Sequence, residues 1–549
     1  MRIHFCIIGM LAALLFAHSN VALSTEIAAN AGMDIFRLGA LLDGSHLHGE
    51  RDAGAGVEGL AAACATCHRR SGLGSVEGRI AVPPIIGKYL MRPHATNVSD
   101  PRLPHLIGYR STREPYTDVT LARAIRTGID PQGRVLNYLM PRYKLDDANM
   151  AALLAYMAQL TSASVPGVTD QVLHFATIIA PGVDPLQRQA MLDVMEHFIA
   201  DKNAFIRGGT RTLASDSREI QYRVTRRWQL HVWDLHGTPE TWIDQLRAKL
   251  ANEPVFAVIS GLGSGTWMPI HQFCELSQLP CLFPNIDAPV VAEQDFYSVY
   301  FSRGVWLEAD LMMNRLAALK AEQGRTQVIQ LYRAHGIGEG AAEALARAAR
   351  AAGFTVDNRI LDASGSDDAG VAGALKKALS GIHKSAVLVI WLPAADLAAL
   401  PAGGAPSDMV LLSGLLGGLE KSPLPARWRA HAQLTYPLDL PDLRTVRMNF
   451  PLGWFRIHGI PLVSQRVQVD TYVACGIVSE MLNDMLDSFV RDYLLERLET
   501  MLGHRLVNGY YPRLSLAAGQ RFASKGGYLV HFADPSGTRI LADSEWTVP

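Results

Sequence analysis

The sequence CATCH at residues 64–68 constrains this 549-residue chain more than any other feature. It sets the Cys64 and Cys67 thiols one helical turn apart and places His68 directly after them. Attachment of haem c needs this arrangement, because the thiols form thioethers with the two vinyl groups and the histidine ligates the iron from one face. The motif therefore predicts one covalent haem c, with His68 as an axial ligand of the iron.

Three other interpretations of the motif exist. They are a thioredoxin-like redox pair, half of a zinc site, and two structural cysteines followed by a chance histidine. A structural zinc site would need a second CxxC or a pair of histidines, and the remaining cysteines lie far along the chain. Each alternative therefore explains the motif less well than haem c does.

Composition and charge exclude several broad classes. Hydrophobic residues make up 49% of the chain and charged residues 19%, which is typical of a globular protein and unlike a disordered or multi-span membrane chain. Lys and Arg number 51 against 52 Asp and Glu, so there is no basic field to attract nucleic acid or an anionic bilayer. The length predicts two to four domains.

The first residues have the pattern of an export signal. A short basic start is followed by an apolar run from Phe5 to Ala17, and Ala22 and Ser24 (or Ala17 and Ser19) suit cleavage by a signal peptidase. The run is too short for a membrane span. We expect a signal peptide over residues 1–24, a mature chain in the periplasm and no stable membrane span in it; a retained N-terminal anchor is the alternative.

Iron that carries one histidine needs a second axial ligand for electron transfer. Met140 precedes Pro141 in a loop, and an amphipathic helix with acids in its first turn follows from Leu145 to Met157. A methionine in such a braced loop can be held over a haem, so Met140 is the predicted second ligand. The remaining candidates are Met91, His94 and His105, whereas Met150 and Met157 lie in the apolar stripe of the helix and are expected to fill the core.

Residues from about 32 to 162 resemble a class I c-type cytochrome, an all-α fold. The matching pieces are Gly59–Ala63 before the haem motif, the proline loop Val82–Gly87 after it, and the Met140-Pro141 step. The resemblance implies that the carbonyl of Pro83 or Pro84 accepts the imidazole N–H of His68, which fixes the orientation of the ring. A long insert at Lys88–Tyr116 departs from the family. We place this domain at residues 25–162.

A polar segment with a Pro-Gly step follows, and we place a linker at residues 163–171. Beyond it, strands alternate with helices, which predicts parallel sheets covered by helices on both faces and divided between two lobes. This part, residues 172–549, resembles the type I periplasmic binding proteins of the branched-chain amino-acid kind. The predicted fold is therefore multidomain: an all-α cytochrome c domain followed by a two-lobed α/β unit.

In that family the ligand lies between the lobes, where the N-termini of helices can offer N–H groups to an anion. The resemblance implies binding roles for residues of a glycine-rich turn, Ser264, Gly265 and Thr266, and for Tyr332 and Arg333 in the second lobe. An ordinary strand-to-helix turn and solvated surface side chains explain the same residues. Neither a GxGxxG in the right register nor a GxxxxGK[ST] sequence supports a nucleotide site.

Three cysteines remain after the haem motif and the expected signal peptide. Cys274 and Cys281 are close enough in sequence to form a local disulfide in an oxidising compartment, although geometry decides this. Cys475 lies among apolar residues and is expected to be an inert core thiol.

Two functions of different class follow from the sequence. The first is an electron carrier that exchanges single electrons with an exported redox partner, an exported dehydrogenase being one candidate, while the fused lobes dock a partner or sense a ligand. The second is a periplasmic solute-binding protein with a regulatory or structural haem. A redox enzyme acting on a substrate in the cleft is a third hypothesis. It lacks a second cofactor, and no GxSxG, HExxH or SxxK motif points to hydrolysis, so a non-enzymatic role is favoured.

Overall fold

The computed structural model describes residues 31–91, 113–160, 165–209, 226–292, 295–362, 368–485, 488–505 and 509–549. The chain forms two compact units, the first made of Met1–Val165 and Asp484–Glu496, the second of Pro166–Asn483 and Arg497–Pro549. The expected signal peptide, His94 and His105 lie outside the described residues. No helix in the described part of the chain is long and apolar enough to cross a membrane.

The first unit is mainly helical. Helical segments cover residues 31–38, Cys64–His68, Gly87–Leu90, Asp118–Thr127 and Asp147–Gln159. Short strands, which the all-α prediction does not include, are β1 (His48–Glu50), β2 (Gly56–Glu58), β3 (Ser75–Glu77), β4 (Ile80–Val82) and β5 (Arg142–Tyr143). They form a small antiparallel sheet in the order β2-β1-β5 and a β3-β4 hairpin.

Local sequence explains where the two longer helices begin. Thr117 caps Asp118–Thr127 in a reciprocal arrangement with Thr120, and the helix ends at Gly128 in the left-handed conformation. Asp146 caps Asp147–Gln159 by accepting the N–H of Asn149 at 2.7 Å.

The core of the first unit lies where the segment 31–38 crosses the helix Asp147–Gln159. The rings of Phe36 and Tyr156 are 5.3 Å apart. Gly32 permits the close approach, because a Cβ at this position would be 2.1 Å from the carbonyl oxygen of Ala152. The expected core methionines, Met150 and Met157, are 3% and 4% exposed; each fills the core of this unit.

The segment Asp484–Glu496 completes the first unit from a distant part of the sequence. The Asp492 carboxylate accepts from the guanidinium of Arg37 at 2.7 Å. The buried carboxylate of Glu496 accepts the N–H of Ser71 at 2.8 Å and its hydroxyl at 2.6 Å. Burial raises the pKa of Glu496 to about 8. The contacts of Glu496 hold the loop that directly follows the haem motif, and that of Asp492 holds the segment 31–38.

The second unit contains a five-stranded parallel sheet. Its strands are β6 (Val172–Ile179), β7 (Arg227–Asp234), β8 (Ala257–Ile259), β9 (Cys281–Leu282) and β10 (Ser298–Val299). Their order is β10-β9-β8-β6-β7. The helices Pro185–Gly209, Trp242–Asn252 and Met268–Leu276 connect these strands, as the alternating pattern predicts.

A seven-stranded sheet forms the other lobe of this unit. Its strands are β11 (Gln327–Arg333), β12 (Thr355–Leu361), β13 (Val387–Trp391), β14 (Met409–Ser413), β15 (Ala432–Tyr436), β16 (Tyr528–Phe532) and β17 (Ile540–Ala542). The order is β12-β11-β13-β14-β15-β16-β17, and the pairings that involve β16 are antiparallel. The accompanying helices are Val305–Gln323, Ile337–Ala351, Asp368–Ala378, Ala394–Ala398, Gly414–Gly417 and Ala426–Arg429. The helices Pro441–Ile457 and Gln465–Met485 also contact the lobe of the five-stranded sheet, where Trp454 donates to Asp201 at 2.9 Å and Asn285 donates to Thr471 at 3.2 Å. The helix Arg491–Met501 is divided between the two units.

The cysteines of the second unit occupy two kinds of site. Cys274, on a helix, is joined by a disulfide to Cys281 at the start of β9. Cys475 is 1% exposed within the helix Gln465–Met485, and burial raises the pKa of its thiol to about 12. A thiol held protonated in this way is a poor nucleophile.

Candidate functional site

The haem motif forms a short helix in the first unit. Cys64–His68 is helical, with Cys64 buried and Cys67 partly exposed. One turn of helix brings the two side chains to the same side. Burial raises the pKa of the Cys64 thiol to about 12, so the group is protonated at neutral pH in the chain described here.

His68 is oriented by one of the two expected prolines. Its Nδ1 lies 2.9 Å from the carbonyl oxygen of Pro83, so Nδ1 carries the proton and Nε2 keeps a lone pair for a metal. Burial lowers the pKa of His68 to about 4. The imidazole is therefore neutral at physiological pH, which is the form that ligates iron.

A cavity of about 650 Å³ lies beside the motif. Cys64, Cys67 and His68 line it, as do Met140 and Pro141 from the loop predicted to supply the second ligand. Much of the remaining lining is apolar: Ile80, Val82, Pro83, Leu90, Leu121, Ile125, Val135, Leu136 and Met157. Packed protein interiors leave few voids larger than a water molecule, so an apolar space of this size next to two thiols and an imidazole suits a haem.

The loop that carries Met140 is braced by its own hydrogen bonds. The Met140 N–H donates to the carbonyl oxygen of Asn137 at 3.0 Å, and the Leu139 N–H donates to the Asn137 side chain at 3.0 Å. The guanidinium of Arg142 donates to the carbonyl of Met140. Met91, a competing candidate, is 42% exposed and is absent from the described lining of the cavity.

Sequence reasoning missed the arginines that line the same cavity, namely Arg51, Arg79, Arg113 and Arg134. They come from four separate loops, so no local spacing identifies them. The Nε of Arg51 is buried without a hydrogen-bond partner among the described residues. Arg134 is already paired with Asp130, which also lines the cavity, at 2.8 Å. Guanidinium groups beside the cavity suit the anionic propionates of a haem.

The second unit contains a cleft of about 420 Å³ between its two sheets. Ser264, Asn285 and Asp287 line it from loops of the five-stranded sheet, and Leu415 and Glu420 line it from the seven-stranded sheet. Of the predicted ligand-binding residues, Ser264 lies at the cleft. Gly265, Thr266, Tyr332 and Arg333 are absent from its described lining.

Arg333 is engaged elsewhere. Its guanidinium donates to both carboxylate oxygens of Asp396, at 2.6 and 2.7 Å, and Tyr332 is 5% exposed in the core beneath the sheet. Asp396 lies on the short helix Ala394–Ala398, which follows β13. The sequence pattern could not show that this helix lies next to the end of β11. The structure therefore places Arg333 in an ion pair at the end of the strands, and its predicted role in ligand binding stays a prediction.

The glycine-rich turn is explained by packing. A Cβ at Gly261 or Gly263 would lie 3.0 Å from the ring of Trp267. Gly261 also has a φ of +131°, a backbone conformation that residues other than glycine rarely adopt. The glycines thus let the chain pass over a buried tryptophan, in line with the ordinary-turn interpretation.

A group of charged residues at the cleft carries no sequence motif. The Arg466 guanidinium donates to the Asp287 carboxylate at 2.8 Å. Asp470, one turn further along the same helix, is 4% exposed. Burial raises the pKa of Asp470 to about 7, although the charge of Arg466 opposes the shift.

Fold and site together define two kinds of unit in one chain, a haem-binding unit and a two-lobed α/β unit with an interlobe cleft. Residues 53–161 match the family model described as Cytochrome c. No curated protein matches the chain significantly.

Solved structures resemble the second unit. An ABC transporter substrate-binding protein from Aeropyrum pernix is 13% identical with a TM-score of 0.53, over 69% of this chain and 96% of that one. A branched-chain amino acid ABC transporter protein from Thermus thermophilus with bound valine has a TM-score of 0.49 at 11% identity, over 70% and 98% of the two chains. At these identities the likeness concerns the fold alone.

The chain therefore joins a cytochrome c domain, which implies haem c, to a two-lobed α/β unit with the fold of the type I periplasmic binding proteins.

Proposed function

We propose that this protein is an exported electron carrier whose first unit holds one covalent haem c. The observation that carries the proposal is the shared cavity: the thiols, the imidazole and the methionine expected to hold a haem all line it. The hydrogen bond from His68 to Pro83 supports the assignment, because it presents the other ring nitrogen to a metal.

The chain's residues have separable roles in this proposal. Cys64 and Cys67 would hold the group covalently, and His68 and Met140 would ligate its iron. A haem supplies a reversible one-electron iron couple when bound. The apolar lining of the cavity keeps water away, and methionine as the second ligand favours a high reduction potential. Arginines at the cavity such as Arg51 would balance the negative charge of the propionates.

The second unit, in this proposal, docks an exported redox partner or senses a small molecule in its cleft. An exported dehydrogenase is one partner class that such a carrier serves. The cleft has the size of a small-molecule site and is lined from both sheets. The same observation favours a second candidate function, a periplasmic solute-binding protein in which the haem is regulatory or structural.

Haem attachment is tested with protein made in a host that attaches haem c. The wild type should retain haem in denaturing gels, whereas the double variant Cys64→Ser and Cys67→Ser should lose it. Cys475→Ser is the matched control and should keep the haem. A colourless wild-type protein from such a host would refute the proposal.

Met140→Ala tests the second axial ligand. It should remove the sulfur-to-iron absorption band in the red and lower the reduction potential while haem stays attached, whereas Met91→Ala should change neither. If the band survives in Met140→Ala, Met140 is not the ligand.

Potentiometry separates the two candidate functions. A reversible couple supports the electron carrier, and a redox-silent haem with ligand-dependent lobe closure supports the second candidate.

A further inference from the structure

A small recess opens beside the cleft of the second unit. It offers about 20 Å³ of space, enough for one group the size of a water molecule. Asp470, Tyr511 and Phe301 line it, and it shares Asp287 and Arg466 with the 420 Å³ cleft. A ligand in the cleft can therefore reach into the recess with one small group.

Asp470 is the unusual member of this lining. It is 4% exposed, and its Oδ1 has no hydrogen-bond partner among the residues that the structure describes. A buried carboxylate oxygen that lacks a donor is strongly unfavourable, and native proteins rarely leave one without a bound group to satisfy it. The recess next to Asp470 provides the space for that group.

The charges around the recess indicate the sign of the missing group. Arg466 is paired with Asp287 at 2.8 Å. At the neighbouring part of the cleft, Arg444 is paired with Glu420 at 2.9 Å. These pairs are neutral, so the recess has an excess of negative charge when Asp470 is ionised, whereas the cation Lys421 lines the wider cleft. A cationic donor is complementary to the recess, and an anion is not.

Shape and lining favour an organic cation. Tyr511 stacks on Phe301 with ring centroids 5.1 Å apart, and Phe301 stacks on Phe283 at 4.6 Å. Aromatic rings beside a carboxylate suit an alkylammonium head. The adjoining cleft has apolar side chains in Ile286 and Leu415 for the carbon chain of such a ligand.

We propose that the cleft of the second unit binds a small primary amine, with its ammonium group on Oδ1 of Asp470 in the recess and its carbon chain in the 420 Å³ cleft. The inference rests on the ligand-binding role proposed for this unit. The amine differs from the anion that the glycine-rich turn at residues 264–266 could hold by resemblance to the family. A free α-carboxylate on the ligand is not required, because the Arg466 guanidinium is already paired.

The test is calorimetric titration of the full-length haem protein with n-pentylamine hydrochloride. 1-Pentanol and L-valine are titrated in parallel, and sodium chloride alone controls for inorganic cations. We expect the amine to bind one per chain and more tightly than either 1-pentanol or L-valine. Asp470→Asn should weaken amine binding at least tenfold, while the exposed, matched variant Asp442→Asn should bind as the wild type does.

Several results would overturn the inference. Amine binding by Asp470→Asn within twofold of the wild type would show that the carboxylate is not the receptor. Binding of L-valine or 1-pentanol without binding of the amine would refute the amine while leaving the ligand-binding role intact. If none of the probes binds, the amine proposal is refuted as well, whereas the proposal of a haem in the first unit is unaffected.

A second measurement separates binding from folding. Because Asp470→Asn removes an unsatisfied buried charge, the ligand-free variant should melt at the same temperature as the wild type or higher at pH 8. A lower melting temperature would show that a protein group already satisfies Asp470, and the recess would then have no vacancy for an ammonium group.

Discussion

Glu308 provides the sharpest test of the tertiary structure, because it is fully buried and holds the wall of the cleft. Its Oε1 accepts the N–H of Leu415 at 3.0 Å and the hydroxyl of Thr435 at 2.8 Å, and its Oε2 accepts the hydroxyl of Ser413. Leu415 lines the cleft. Burial raises the pKa of Glu308 from 4.5 to about 7, against the opposing effect of these hydrogen bonds.

The sign of the pH effect follows from proton binding. Between pH 4.5 and 7 the folded chain keeps the Glu308 proton while the unfolded chain releases it, so the free energy of unfolding falls as pH rises. The shift from 4.5 to about 7 corresponds to a loss of about 3 kcal/mol that is complete above pH 7. For a unit of roughly 370 residues, this is about 4 °C in melting temperature.

Glu308→Gln removes this titration and keeps the shape of the side chain. The amide oxygen can still accept from Leu415, and the amide nitrogen can donate to the hydroxyl of Ser413. We therefore expect the difference in melting temperature, variant minus wild type, to increase by about 3 °C from pH 5 to pH 8, because part of the loss has already occurred at pH 5. The measurement is differential scanning calorimetry of the haem protein at both pH values.

Glu322→Gln, on the exposed end of the same helix, is the matched control and should show no such pH-dependent difference. Asp470 and Glu496 also have raised pKa values, but both variants retain them, so their effects cancel in the comparison. Equal pH dependence in Glu308→Gln and the wild type would refute the assignment of a protonated, buried Glu308.

Three further predictions concern packing and the predicted binding role of Arg333. Gly32→Ala should destabilise the first unit by about 1–3 kcal/mol in urea unfolding, since its Cβ would meet the Ala152 carbonyl; unchanged stability would contradict that close approach. Met150→Ala should cost about 2–5 kcal/mol in the same assay, against no more than about 0.5 kcal/mol for Met91→Ala, and equal losses would place Met150 outside the core. Arg333→Ala should leave pentylamine affinity within twofold in calorimetry, and a tenfold loss would return this residue to the cleft.

Functional and structural motifs whose residues are close together in the sequence could be recognised without a structure. The Cys64, Cys67 and His68 groups must be contiguous for the chemistry they perform, so their spacing is visible in the sequence. Met140-Pro141 before an amphipathic helix is a local pattern as well, and its role as a ligand stays a prediction. Helix caps such as Thr117 and Asp146 were recognisable for the same reason.

Residues that meet only after folding could not be recognised. Asp470 and Tyr511 lie on separate segments, and only packing brings them to one recess. The segment Asp484–Glu496 joins the first unit although it follows most of the second in sequence. Arg333 had the right position for a clamp, but its partner Asp396 came from another connection of the sheet.

By itself, the sequence determined the chemistry of the haem motif and the class of each unit, because motif spacing and the alternation of strands and helices are properties of neighbouring residues. Only the tertiary structure decided that Pro83 rather than Pro84 accepts from His68 and that Asp470 lacks a described donor at the cleft. The physical reason is that hydrogen bonding, desolvation and charge balance depend on distances between atoms that the order of residues along the chain does not specify.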